Sequence, residues 1–253
     1  MKKFLVLAAA AALIAGGASL ALANGSGLGI VNSPHDFTDN LKKGVATPGF
    51  EVDGTGGGWN QREEICRVCH VPHDHGKDQY TNGLLWNHDV SEATYTMYDN
   101  SWSSTLTHTQ DAEPTGNSKL CLACHDGTVG IDTYDKYTTA NVNITDYSAG
   151  FEVPRFMDGA NQDLTGTHPL SIEYDSGDGD VNAPGGLNAV TTSWELSGTI
   201  ADTLQDGKVQ CSTCHDVHDS VGVAVADTHL LRANQKAVGG GTESGLCFTC
   251  HNK

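Results

Sequence analysis

The string Cys-x-x-Cys-His occurs four times in this chain, and the four copies use all eight of its cysteines. They are Cys66-Arg67-Val68-Cys69-His70, Cys121-Leu122-Ala123-Cys124-His125, Cys211-Ser212-Thr213-Cys214-His215 and Cys247-Phe248-Thr249-Cys250-His251. Two thiols a turn apart with an imidazole directly behind them form the attachment site of c-type haem. The thiols add across the two vinyl groups and the histidine binds iron from one face. At this cysteine and histidine content chance would supply about 0.01 such matches, so four with no cysteine left over constrain the fold more than any other feature.

Two other uses of paired cysteines fit less well. A disulfide framework explains an even cysteine count in an exported chain but gives no reason for a histidine after the second cysteine of every pair. Zinc ribbons need two pairs per metal at modest separation and leave the adjacent histidine unexplained. The expectation is therefore four haem c groups, with Cys66, Cys69, Cys121, Cys124, Cys211, Cys214, Cys247 and Cys250 as thioether carriers. His70, His125, His215 and His251 are then the proximal iron ligands.

Residues 1–23 read as a secretory signal: Lys2 and Lys3, an apolar run from Phe4 to Leu22, and Ala21-Leu22-Ala23 before Asn24. No cysteine lies near that site and no later stretch reaches the length of a membrane span, so the mature protein is expected outside the cytoplasm without a membrane span. Losing the signal with its two lysines leaves 12 basic residues against 31 acidic ones, and 12 minus 31 gives −19. Such a surface repels nucleic acid and suits basic partners or cations.

About 230 mature residues suffice for one domain, yet apolar residues are 38% of the chain and glycines number 30. That composition is poor material for a layered core. The predicted fold class is mostly irregular, with few short helices and little strand, in which a stack of haems is the core. Asn60 with Glu63 predicts a capping box opening a helix through Cys69. Asn117 predicts a cap for 118–125, with Gly127 ending that helix. Another short helix is expected within 221–236, a brief strand at 94–98, and loop at 54–58 and 174–188. The acidic run 175–180 does not follow the EF-hand order and reads as a solvated loop.

First cysteines are separated by 55, 90 and 36 residues. That spacing suggests a single tetrahaem domain, 24–253, made of a haem pair at 60–130, an acidic, glycine-rich connecting segment at 131–205 and a second pair at 206–253.

The occupant of each iron's second axial position decides between carrying electrons and doing chemistry. Eight histidines remain: His35, His73, His75, His88, His108, His168, His218 and His229, whereas only Met97 and Met157 survive signal removal. The supply is enough for bis-histidine ligation of all four irons. His73 and His218 each follow a motif histidine by three residues, too short a segment to wrap to the opposite face of the same haem, so each is expected to serve a neighbouring one.

The strings Ser33-Pro34-His35-Asp36, Cys66 to His73, Leu85-Trp86-Asn87-His88, Lys119 to Val129, Thr167-His168-Pro169-Leu170 and Cys211 to His218 together resemble the OmcE-type extracellular tetrahaem cytochromes. The resemblance covers most of the mature chain. It implies protomers that polymerise head to tail into filaments with one continuous haem stack, every iron bis-histidine, and one distal ligand given by the neighbouring subunit. Carried onto this chain, it implies distal ligands His35, His73, His168 and His218. His35, near the mature N-terminus, is the expected inter-subunit ligand, and His88 is held in reserve.

The expected role is extracellular electron transfer toward redox partners or external acceptors, as a filament protomer at the cell surface and not as an enzyme. Two alternatives stand beside it. A soluble periplasmic tetrahaem carrier would ligate every iron from within its own chain. An oxyanion reductase would need one open iron lined by acid/base groups.

Overall fold

The computed structural model of the chain describes residues 29–31, 33, 35–38, 60, 63–73, 84–99, 101, 106, 108–135, 162–174, 186–195, 198–218, 230–233 and 245–252. The expected signal at 1–23, the glycine run 54–58, the acidic run 175–180, His75 and His229 lie outside the described residues. So does most of the helix expected within 221–236; its described part, 230–233, is not helical, and Leu231 bridges to His215.

Four helices occur among the described residues: α1 (Gly116–His125), α2 (Ile200–Thr203), α3 (Cys211–Cys214) and α4 (Gly245–Cys250). Two strands of two residues, β1 (Ile172–Glu173) and β2 (Lys208–Val209), pair antiparallel with Ile172 opposite Val209 and Glu173 opposite Lys208. β2 is delivered by an Asp206-Gly207 turn. Both central residues have positive φ (53° and 74°) and Gln205 and Lys208 exchange backbone hydrogen bonds, the two-residue hairpin geometry that Asp-Gly favours.

The longest helix, α1, carries the second motif and buries Leu120, Leu122 and Ala123. Its N-cap is Thr115, in extended conformation, and Asn117 lies inside the helix, contrary to the capping expectation. A side chain from elsewhere in the chain does what the cap would have done, since the Asn117 N–H donates to Gln205 Oε1 at 2.7 Å. At the other end Gly127 has φ 74°, the left-handed conformation that lets the chain leave a helix.

The helix expected from Asn60 does not form. Asn60 is buried, its Nδ2 donating to the Phe37 carbonyl at 3.0 Å and its Oδ1 accepting from the Tyr134 hydroxyl at 3.3 Å, while Glu63 takes φ 53°. Long-range bonds have claimed the amide that a capping box needs. Residues 65–69 turn instead, and the N–H groups of Cys69 and His70 both return to the Cys66 carbonyl. The strand expected at 94–98 is extended chain with one parallel bridge, Thr96 to Asp163.

Apolar burial among the described residues is divided into three small clusters, two of which include motif cysteines. Val68, Ile131 and Tyr134 pack with Phe37, Cys69 and Cys124. Tyr95, Leu122 and Leu164 pack with Ala93, Met97 and Leu170. Ile172, Tyr174, Ile200 and Val209 pack with Leu204, Leu187 and Cys250 among others. Residues 131–135 and 162–174 of the segment expected to connect two haem pairs therefore pack onto the motifs themselves.

Candidate haem-binding centre

The second and third motifs are packed together, although they are the two farthest apart of any consecutive pair. The Cys211 N–H donates to Ser118 Oγ at 2.9 Å and Asn117 Nδ2 to Ser212 Oγ at 3.1 Å, which fixes α3 against α1. The hydrogen bond between the Cys121 and Cys211 thiols pushes Cys121 well up and holds Cys211 down. Cys69 and Cys124 share a cluster, and Cys214 feels Cys250 and Cys247. Through Cys69 and Cys124, and through Cys121 and Cys211, the first three motifs lie side by side.

None of the eight cysteines is joined to another in a disulfide. Burial is the main cause that pushes Cys69 and Cys214 up to about 12 and Cys250 up to about 11, and it pushes Cys124 up further still. Such groups sit as neutral sulfur in apolar surroundings, which suits a thioether. Cys66 and Cys247, the first cysteines of the outer motifs, are exposed.

Three motif histidines each face one of the remaining histidines. His70 faces His218, ring centroids 6.1 Å apart and 26° from parallel; His125 faces His35 at 6.1 Å; His251 faces His168 at 6.2 Å. Two metal–nitrogen bonds of about 2 Å, plus about 1 Å from each nitrogen to its ring centre, add to about 6 Å. The spacing fits an iron between the rings. His218 faces His70 and not the His215 three residues before it. His35 lies against a histidine of its own chain.

The tautomers are prepared in the same sense. His70 Nδ1 lies 2.7 Å from the Leu84 carbonyl and His168 Nδ1 3.0 Å from the Pro169 carbonyl. A ring that donates Nδ1–H to a carbonyl leaves its Nε2 lone pair for a metal. His88, buried at 2% exposure, has the same arrangement: Nδ1 is 2.6 Å from the Asp89 carbonyl, and Nε2 is 3.5 Å from Cys124 Sγ. That places it at the edge of the second motif. His73 is exposed and His108 half-buried.

Trp86 stands edge-on to His70 at 5.9 Å, and its indole N–H is buried with no acceptor among the described residues. A buried donor left over beside a motif histidine suits an anionic acceptor carried by the bound group, such as a haem propionate. No group of three or more His, Cys, Asp or Glu converges as a metal cage among the described residues. An imidazole on each side and two thiols at the edge is instead the donor set for iron in a macrocycle. The residues present fit haem c.

Sequence reasoning missed Tyr95, Trp86 and Asp126. Trp86 and Asp126 stood within strings that carry the resemblance, Asp126 directly after a motif histidine, but neither was given a role. No helix among the described residues is long and apolar enough to cross a membrane. No protein-family model matches the chain, and no curated protein matches its sequence.

Proposed function

We propose that the chain transfers electrons through four bis-histidine c-type haems and works as the protomer of an extracellular filament. The observation that carries this reading is the set of three facing histidine pairs, each made of one motif histidine and one other, at 6.1 to 6.2 Å. When bound, haem c supplies an iron that changes between ferric and ferrous without making or breaking bonds. The chain's part is to fill both axial positions, to exclude external ligands from them and to hold the motifs in contact. Paired imidazoles favour lower potentials than a Met/His pair would, which suits outward electron flow. In those three pairs His35, His168 and His218 would hold the iron from the second side, which argues against an iron left open there for an oxyanion.

The pairing proposed is His70 with His218, His125 with His35, and His251 with His168. His35 thereby becomes an intrachain ligand. His73, exposed and beside the first motif, is the member of the distal set that we now assign to a neighbouring protomer. Leu84 and Leu85 near the first motif and Phe248 within the fourth are exposed apolar residues. A head-to-tail contact would cover both groups, and a heterologous contact that does not close gives an open filament.

The test has two stages. Pyridine haemochrome and electron paramagnetic resonance on the exported protein should give four haems per chain, all low-spin with paired imidazoles; fewer haems, or a high-spin iron, would sink the ligation scheme. Electron microscopy of the extracellular fraction, with the polypeptide identified by mass spectrometry, should show thin ordered filaments. Discrete periplasmic particles alone would favour the soluble carrier.

A further inference from the structure

The four motif histidines differ in the residue that follows them. Val71 and Asn252 follow the first and fourth and carry no charge. Asp216 follows the third, and its carboxylate lies 3.8 Å from the Arg232 guanidinium, an ion pair that offsets its charge. Asp126 follows the second and is 0% exposed. Its partners are all neutral donors. The Tyr95 hydroxyl donates to Oδ2 at 2.5 Å, the Thr128 N–H to Oδ1 at 2.7 Å, and the Thr128 hydroxyl lies 2.8 Å from both oxygens. No cation is within ion-pair distance of it among the described residues.

A second buried aspartate lies on the other side of the same site. His35, which faces His125, is followed by Asp36, 4% exposed, whose Oδ1 accepts from the Thr38 N–H and hydroxyl. The His125–His35 pair is thus flanked at both ligands by a buried aspartate.

We infer that the buried carboxylate of Asp126 makes the iron site between His125 and His35 the one of lowest potential among the four, the last to accept an electron. The inference rests on the four-haem reading above. A fixed negative charge favours the more positive ferric state over the ferrous one, and it does so more strongly in a low-dielectric interior than at a hydrated surface. Neutral donors orient the carboxylate without cancelling its charge. Burial, and after it the bond to Asp126, push the Tyr95 phenol well up, which keeps it an O–H donor. Asp126 acts as a tuning residue next to His125 in the chain, buried and held by Tyr95 and Thr128.

The experiment is a spectropotentiometric titration at one fixed pH of the full-length, haem-loaded protein and of two variants, Asp126→Asn and Tyr95→Phe. Each is first checked for four haems and for paired-imidazole resonance signals. In Asp126→Asn the lowest of four one-electron components should move up, by an amount that changes the ferric-to-ferrous ratio at a given potential about tenfold, or about 59 mV. Tyr95→Phe removes a donor and leaves the charge, so the same component should move down. Opposite shifts in one component are not what a loss of packing would give. With four paired-imidazole haems intact, unchanged components in either folded variant, or a shift confined to a different component, would overturn the inference and leave the haem reading standing. Fewer than four haems in the unaltered protein would overturn that reading first.

Discussion

His218 faces His70 across 6.1 Å with the two rings 26° from parallel, although its own sequence neighbour among the motif ligands is His215. The segment that leaves the third motif thus reaches the first. Asp216 directs it: the Asp216 N–H donates to the Leu230 carbonyl at 2.8 Å and its Oδ1 accepts from the His218 N–H at 3.2 Å.

Replacing His218 by alanine should therefore open one iron, that of the first motif, and leave haem attachment intact. One haem of four is expected to turn high-spin and, when reduced, to bind carbon monoxide, with added imidazole restoring the low-spin signal. A high-spin signal assigned instead to the His215 haem would mean that the pairing is not crossed.

In the proposed pairing His35 and His73 exchange the roles that the sequence suggested for them. His35→Ala should remove the second ligand of the His125 iron within each protomer and still permit filaments, whereas His73→Ala should keep four haems per chain and shift the protein to discrete particles. Electron microscopy of both variants decides the matter. Normal filaments from His73→Ala would return the junction to some other residue.

The four motifs were legible because each compresses its pattern into five consecutive residues. The distal set was legible only as a supply of histidines and a resemblance. Which ring faces which could not be read, because His70 and His218 or His125 and His35 meet only after most of the intervening chain has been placed. Nor could the contact between the second and third motifs be read, because sequence distance between Cys121 and Cys211 says nothing of the Ser118–Cys211 and Asn117–Ser212 bonds that bring them together. Asn60 illustrates the limit of local signals, since Phe37 and Tyr134 outbid the helix for its side chain. Asp206-Gly207, by contrast, is a turn signal that the chain displays openly.

Acid should release one identifiable restraint. Lys208 Nζ lies 2.7 Å and 2.8 Å from the two oxygens of Asp111, and this hydrogen bond holds the Asp111 carboxyl below its usual range. The folded state then binds that proton less readily than the unfolded chain. The stabilisation is fully present above the unfolded carboxylate pKa of about 3.9 and is lost as the pH falls through the lower folded value. Both partners are partly exposed, so the pair contributes on the order of 0.5–1 kcal/mol. Lys208→Met should lower the melting temperature of the haem-loaded protein by a few degrees at pH 7, and the gap should close toward pH 3. An equal gap at both values would assign the loss to packing.

Gly116 should be among the least replaceable residues of the seam between the second and third motifs. Its φ of 52° is left-handed, and a Cβ there would collide with the side chain of Gln205, the acceptor that satisfies the Asn117 N–H. Strain at φ and loss of that acceptor act together, at a cost of about 1–3 kcal/mol. Gly166, which has open space around its Cβ position and no left-handed φ, supplies the control. Chemical denaturation of the haem-loaded protein should show a clear drop for Gly116→Ala and almost none for Gly166→Ala. Because α1 carries Cys121, Cys124 and His125 against α3, the same variant should also alter the coupling between the second and third haems, seen as a changed split in their resonance signals. A Gly116→Ala protein as stable as its parent would mean that Gln205 can swing away without cost, and that the Asn117–Ser212 and Ser118–Cys211 bonds alone hold the two motifs together.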